Sequence, residues 1–148
     1  MKKLMIAATV AFCATVSFAE LASANIVGYT TITLTEKNSI VGINFTGVDG
    51  NAMSINEAVP YAEGMVKGNA AANADQIQVQ DGNGGYKTYY MSNGLNAKGQ
   101  VVAGLEGKWA NGGSTTVATD VIPAGKGAWF CRKGSESITL TIASPIAE

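Results

Sequence analysis

The chain has 148 residues, including 18 glycines and no histidine, and its 10 basic and 11 acidic residues leave a net charge of -1. One ordinary domain fits this length, and a composition of 47% apolar but only 14% charged residues argues against disorder. The charge balance lacks the basic field that drives nucleic-acid binding, and the absence of histidine removes the commonest general base and metal ligand.

Residues 1–24 are predicted to be a secretory signal peptide. Lys2 and Lys3 precede an uncharged, largely apolar stretch over residues 4–18, and small residues follow it. A helix needs roughly 18 to 20 apolar residues to cross a bilayer, and this stretch is shorter, which disfavours a membrane anchor. We therefore expect an exported protein that works in the periplasm, at the cell surface or outside the cell.

Cleavage has two candidate sites, after Ala19 or after Ala24, and the second is preferred because a strand-like segment begins directly after it. It leaves a single β-rich domain over residues 25–148 and removes Cys13. Cys131 is then the only cysteine of the mature chain, which excludes an internal disulfide. We interpret Cys131 as a buried small hydrophobic residue, with an intermolecular bridge as the alternative.

The first part of the mature chain predicts two strands and one short helix. Residues 30–35 alternate threonine with isoleucine or leucine, which is the period of a half-buried strand, and residues 39–45 supply a second strand. A serine followed three residues later by glutamate forms a capping box at the start of a helix predicted over 54–59. Pro60 prevents this helix from continuing.

A β-hairpin is predicted in the middle of the chain. Residues 76–80 alternate in polarity, the glycine-rich run 81–85 is a dense turn signal, and residues 86–91 return as the partner strand. A turn-rich loop over 92–100 follows. Three shorter stretches are candidate strands: 101–103, 106–110 and 114–118.

The last two strands are predicted over residues 128–132 and 138–142. The first is apolar on both faces, which is typical of a central strand that is covered on each side. The pattern Ile-Thr-Leu-Thr occurs at 32–35 and again at 138–141, so we predict that the first and last strands share a sheet. These short strands, separated by turns, predict an all-β fold, a β-sandwich or flattened barrel with one short α-helix.

Neither the glycine-rich segments nor the carboxylates predict a catalytic, metal or cofactor site. The runs 81–85 and 125–127 do not match a phosphate-binding loop, and turn geometry explains their glycines. Asp49 and Asp81 could offer oxygens to calcium, but neither lies in an Asp-x-Asp-x-Asp spacing. Turn formation is therefore the preferred interpretation of both residues.

The aromatic residues are the candidates for contact with a ligand or partner. Tyr86, Tyr89 and Tyr90 belong to one predicted strand and Trp109 to a later one. Exposed on a sheet face, such rings would stack on sugars or anchor a protein, whereas buried rings would belong to the core. Because Tyr89 and Tyr90 are adjacent, at least one is expected to face outward from a regular strand. Trp129 is assigned to the core, and Trp109 is left open between core and surface.

Four short motifs resemble a group of small secreted bacterial proteins that begin with Val-Gly-Tyr after the signal peptide. They are Ala-Asn-Ile-Val-Gly-Tyr at 24–29, Ser-Ile-Asn-Glu at 54–57, Asp-Gln-Ile at 75–77 and Pro-Ala-Gly-Lys-Gly-Ala-Trp-Phe at 123–130. The resemblance implies export and a β-rich fold. It implies no activity, and no functional residue can be carried over.

Three functions follow as hypotheses. The leading one is an exported, non-enzymatic surface or extracellular protein that acts through protein–protein interaction or self-association, since low charge and paired terminal strands suit association through sheet edges. The alternative is a carbohydrate-binding module that uses Trp109 with the hairpin strand Tyr86–Tyr90. The third is a secreted hydrolase with a carboxylate pair. The expected partner is accordingly a surface protein, a glycan or a second copy of the chain, and not a nucleic acid.

Overall fold

The computed structural model of the chain describes residues 28–35, 37–47, 50–112 and 115–144. The predicted signal peptide with both cleavage sites, Cys13 and Asp49 lie outside these residues. Strands make up 40% of the structure and helical segments 6%, which confirms the predicted all-β fold with one short α-helix. No helix within the described ranges is long and apolar enough to cross a membrane.

The described part of the chain contains nine strands, one α-helix and one 3-10 turn. In chain order these are β1 (Tyr29–Leu34), β2 (Asn38–Gly42), β3 (Met53–Ser54), α1 (Ile55–Ala58), the 3-10 turn (Ala71–Asn73), β4 (Gln76–Gln80), β5 (Tyr86–Met91), β6 (Trp109–Asn111), β7 (Val121–Ile122), β8 (Gly127–Cys131) and β9 (Ile138–Ala143). A five-stranded antiparallel sheet has the order β2-β8-β4-β5-β6. The pairs β1-β9 and β3-β7 form two smaller antiparallel sheets.

The repeated Ile-Thr-Leu-Thr pattern does place the first and last strands in one sheet, as predicted. β1 and β9 run antiparallel, with Ile32 opposite Leu140 and Thr33 opposite Thr139. Thr31, Thr33, Thr139 and Thr141 face solvent, while Leu34 and Leu140 are buried. Period-2 alternation thus gives the ribbon one apolar face that packs on the rest of the protein.

The β4-β5 hairpin lies where the sequence predicts it, and Asp81 holds its turn. Asp81 Oδ1 accepts hydrogen bonds from the backbone N–H groups of Asn83 (2.8 Å) and Gly85 (2.9 Å). Gly82 and Gly84 have φ angles of 83° and 86°, a left-handed conformation that glycine adopts without steric cost. These bonds confirm that Asp81 forms a turn.

The capping box is also confirmed. Glu57 Oε2 accepts hydrogen bonds from the backbone N–H of Ser54 (3.0 Å) and from its hydroxyl (2.7 Å), and the hydroxyl bond lowers the pKa of Glu57. The helix then ends at Ala58, one residue short of the predicted range.

Other predicted elements are shorter than expected or absent. β2 ends at Gly42 and not at residue 45, and the candidate 106–110 is reduced to β6. The candidates 101–103 and 114–118 contribute only isolated bridges, at Val101 and Val117. β3 and β7 went unpredicted because a strand of two residues is too short to show alternation.

The five-stranded sheet is covered differently on its two faces. On one face it packs against α1 and the β1-β9 ribbon around the main core, whose residues include Leu34, Val41, Ile55, Ile77, Tyr89, Trp109, Phe130, Leu140 and Ile142. On the other face a second, smaller cluster lies at the β6 end and consists of Ala74, Tyr90, Leu105 and Ala110. The rest of this second face holds the candidate site.

Candidate functional site

Three of the four predicted contact residues are buried. Trp109 and Tyr89 belong to the main core, where Trp109 Nε1 donates a hydrogen bond to the Val59 carbonyl (2.6 Å). Tyr90 points to the opposite face but is covered by the second cluster, so the expectation that one of the adjacent tyrosines faces solvent is wrong. Burial raises the pKa of both tyrosine hydroxyls. Tyr86 alone of the four is exposed, at 55%.

Trp129, which the sequence analysis assigns to the core, is the exposed tryptophan. β8 has neighbours on both sides, and its residues Ala128 and Phe130 face the main core. Trp129 and Cys131 face the other way, and Trp129 remains 40% exposed. The prediction that β8 is covered on both faces is therefore wrong, because the second cluster lies over β5 and β6 and does not reach β8.

Trp129 and Tyr86 belong to a surface that we call the open face. It consists of the outward side chains of four adjacent strands, namely Asn38, Ile40, Gln76, Gln78, Gln80, Tyr86, Thr88, Trp129 and Cys131. Across the strands, Trp129 stands opposite Ile40 on one side and opposite Gln78 on the other. None of these nine side chains belongs to Asp, Glu, Lys or Arg, so the open face carries aromatic, aliphatic, amide, hydroxyl and thiol groups.

A groove of about 270 Å³ runs between the two exposed rings. Its lining residues are Asn38, Gln78, Tyr86, Trp129 and Cys131. The Gln76 amide nitrogen is already used, because it donates to the Ala71 carbonyl at 2.6 Å. The Gln78 amide lines the groove and makes no hydrogen bond to any described residue, and an amide can donate and accept at once. The groove thus offers two ring faces and free polar groups to a ligand.

Cys131 lies in this groove and is half-buried, with more access than the buried position expected for it. Burial raises the pKa of its thiol, and the positive charge of Lys133 opposes this shift in part. The thiol is therefore neutral at physiological pH and a weak nucleophile, so it acts as a small apolar group in the floor of the groove.

A second, larger cleft adjoins the open face where β4 and β8 separate. The two strands pair from Gln76 to Gln78 and no further, and beyond Trp129 a cleft of about 400 Å³ opens between them. Gln80 belongs to both the cleft and the open face. Apolar walls of the cleft are formed by Val79, Val121 and Pro123. Asp81 and Lys126 add one acidic and one basic group.

Three acidic residues away from the open face, Asp75, Glu106 and Asp120, are engaged in structural contacts. Asp120 Oδ1 lies 2.6 Å from Lys87 Nζ, and Glu106 Oε1 lies 2.9 Å from Lys67 Nζ. The Lys87 ammonium holds the pKa of Asp120 below its ordinary value. Asp75 is buried and accepts hydrogen bonds from two backbone N–H groups. These contacts include no pair of neighbouring carboxylates of the kind that the hydrolase hypothesis requires. In the part of the chain described, no group of three potential metal-ligating side chains occurs.

Comparison with known proteins adds no information about the site. No protein-family model matches the chain, and neither a curated protein nor a solved structure matches it. The resemblance to small secreted bacterial proteins therefore stays a prediction. Function has to be argued from the residues of the open face themselves.

Proposed function

We propose that this chain is an exported, non-catalytic binding protein whose open face holds neutral glycans. The observation that carries the proposal is the exposed Trp129 beside Tyr86 on an uncharged sheet surface with free amide groups. Export is the expectation from residues 1–24. The proposal keeps the predicted carbohydrate-binding class and replaces Trp109 by Trp129 as its principal ring.

The chemistry of the open face fits an uncharged polyhydroxylated ligand. Aromatic ring faces stack on the apolar faces of sugar rings, and amides such as Gln78 pair with hydroxyl groups as both donors and acceptors. The nine side chains of the open face include no cation for an anionic ligand and no carboxylate for a cationic one, and the charges of Lys133, Lys126 and Asp81 lie at its border. The absence of charge therefore favours neutral sugars over charged glycans or nucleic acids.

The spacing of the two rings favours an oligosaccharide over a single sugar. Trp129 stands opposite Gln78, and Gln78 stands opposite Thr88, which is two residues along β5 from Tyr86. Two strand spacings and a two-residue offset put the Cα atoms of Trp129 and Tyr86 roughly 12 Å apart. A ligand that touches both rings has to extend across more than one sugar ring.

Binding of the full chain to a panel of neutral and anionic oligosaccharides tests the proposal. We expect Trp129→Ala and Tyr86→Ala each to weaken binding of a neutral oligosaccharide at least tenfold, which corresponds to about 1.4 kcal/mol. Tyr29→Ala is the matched control, because Tyr29 of β1 is even more exposed, at 68%, but lies on a different sheet. Its affinity should equal that of the unmodified chain.

The site itself provides a second measurement. Because Cys131 lines the same groove as both rings, a bound oligosaccharide should slow alkylation of its thiol. The proposal is abandoned if no neutral oligosaccharide binds, or if Trp129→Ala binds as well as the unmodified chain. Binding restricted to anionic glycans would contradict it equally.

A further inference from the structure

The free edge of β2 is a second candidate interaction surface, separate from the groove between Trp129 and Tyr86. β2 forms one edge of the five-stranded sheet, and its only partner among the described strands is β8. Edge strands are usually blocked by charged residues, proline or a bulge. β2 reads Asn-Ser-Ile-Val-Gly and pairs without a bulge, so it carries none of these devices. At the opposite edge, by contrast, Ala110 of β6 bridges to Val117.

The ladder between β2 and β8 shows which backbone groups are free. Just beyond its ends, Ile43 N donates to the Lys126 carbonyl and Arg132 N donates to the Lys37 carbonyl. Because alternate residues of a strand direct their N–H and C=O groups to the same side, the odd-numbered residues face β8. The residues whose backbone groups face away are Asn38, Ile40 and Gly42.

Ile40 stands at the centre of this free edge and is 61% exposed. Its side chain lies on the open face, directly opposite Trp129. An exposed β-branched apolar residue on an unblocked edge loses contact with water when another strand is added beside it.

We propose that β2 pairs with β2 of a second copy of this chain, antiparallel and centred on Ile40. In that register Ile40 meets Ile40 of the second copy, and Asn38 meets Gly42 in both directions. Each of these pairs exchanges two backbone hydrogen bonds. The contact is self-complementary under a two-fold axis, as a closed dimer requires. The predicted self-association would then take place through the free edge of β2.

The dimer joins the two five-stranded sheets and sets their open faces side by side. If the open face binds glycans, both faces can engage one glycan chain, which raises the apparent affinity for long chains. Strand pairing itself does not depend on glycan binding. The interface uses five residues per copy, less than the 20 to 30 of a standard interface, so the dimer should be weak and should form with rising concentration.

Sedimentation of the full chain over a concentration series, with a thiol reductant and without glycan, tests the pairing. We expect a reversible monomer–dimer equilibrium whose dissociation constant rises at least tenfold in Ile40→Lys. Val101→Lys is the matched control, since Val101 is an 83% exposed β-branched residue outside the five-stranded sheet. Thermal unfolding of dilute samples checks that both variants remain folded.

Amide hydrogen exchange identifies the edge directly. The N–H groups of Asn38, Ile40 and Gly42 should be protected at high concentration and should exchange fast both on dilution and in Ile40→Lys. A chain that stays monomeric at its highest soluble concentration overturns the proposal. So does a dimer that survives Ile40→Lys, or one that forms only when the reductant is left out, which would be a disulfide bridge between copies. Because no glycan is present, the result is independent of the proposed glycan site.

Discussion

Two regions of the second face of the five-stranded sheet differ in how far their aromatic side chains are exposed to solvent. Tyr90 of β5 is buried in the second cluster with Leu105, whereas Tyr86, at the other end of β5, and Trp129 of β8 are exposed. All three rings lie on the same face of this sheet. Alternation along a strand thus decides which face a ring occupies, and the segments that cross this face decide whether the ring is core or surface.

The cover at the β6 end is the segment from residue 92 to residue 107. Its hydrogen bonds fold it back on itself, with Ser92 N donating to the Lys108 carbonyl and Val102 N to the Gly94 carbonyl. This fold places Leu105 in the second cluster with no exposed surface. Leu105 lies between the candidate strands predicted over 101–103 and 106–110, in neither of them, and it carries part of the core.

The two tryptophans should differ most in their effect on stability. Trp109→Ala removes a buried ring, its edge contact with Phe130 and its bond to Val59, and should lower the free energy of unfolding by about 3 to 5 kcal/mol. Trp129→Ala removes a partly exposed ring and should cost about 1 kcal/mol or less. Urea unfolding measures both values. Equal losses would contradict the assignment of one ring to the core and the other to the surface.

The cover itself can be tested at Leu105. Leu105→Ala leaves a cavity beneath the loop and should lower the free energy of unfolding by about 2 to 4 kcal/mol. Val101→Ala, in the same loop segment but at an exposed position, should change it by no more than about 0.5 kcal/mol. If Leu105→Ala behaves like the Val101 control, the loop is a passive connector and the contrast between the two regions fails.

Two glycines of the segment 92–107 test how tightly it packs over the sheet. Gly94 and Gly99 have φ angles of 82° and 76°, so an alanine at either position should cost about 1 to 2 kcal/mol in backbone strain. At Gly94 the added Cβ would also lie 3.0 Å from Glu106 Cβ, whereas at Gly99 it would meet nothing within 4 Å. Gly94→Ala should therefore be the more destabilising of the two by about 1 kcal/mol. Thermal unfolding measures the loss of stability in both variants. Equal losses would mean that the backbone at Glu106 shifts without cost to accommodate the added Cβ.

The sequence predicts the strands of this protein better than it predicts their coverage. The alternation in β4 and β9 marks the strands because side-chain period is a local property of the backbone. The burial of Tyr90 and the exposure of Trp129 depend on which distant segment crosses the sheet, and no local pattern encodes that. One signal was available. Gln76, Gln78 and Gln80 alternate with Ile77 and Val79, which indicates a strand with one polar face, and β8 shares that face.

The smallest effect on stability is expected from the ion pair between Lys87 and Asp120. Lys87 follows Tyr86 in β5, and its side chain points to the opposite face of the sheet. Lys87 lowers the pKa of Asp120, so the pair adds stability above the ordinary Asp pKa of about 3.9 and loses it as pH falls through the lowered value. Both side chains keep contact with water, so Lys87→Met should reduce stability at neutral pH less than any core substitution above. The difference from the unmodified chain should vanish in acid, while Lys98→Met should show no such pH dependence. Urea unfolding at several pH values checks this, and a difference that persists in acid would mean that Lys87 acts through packing and not through its charge.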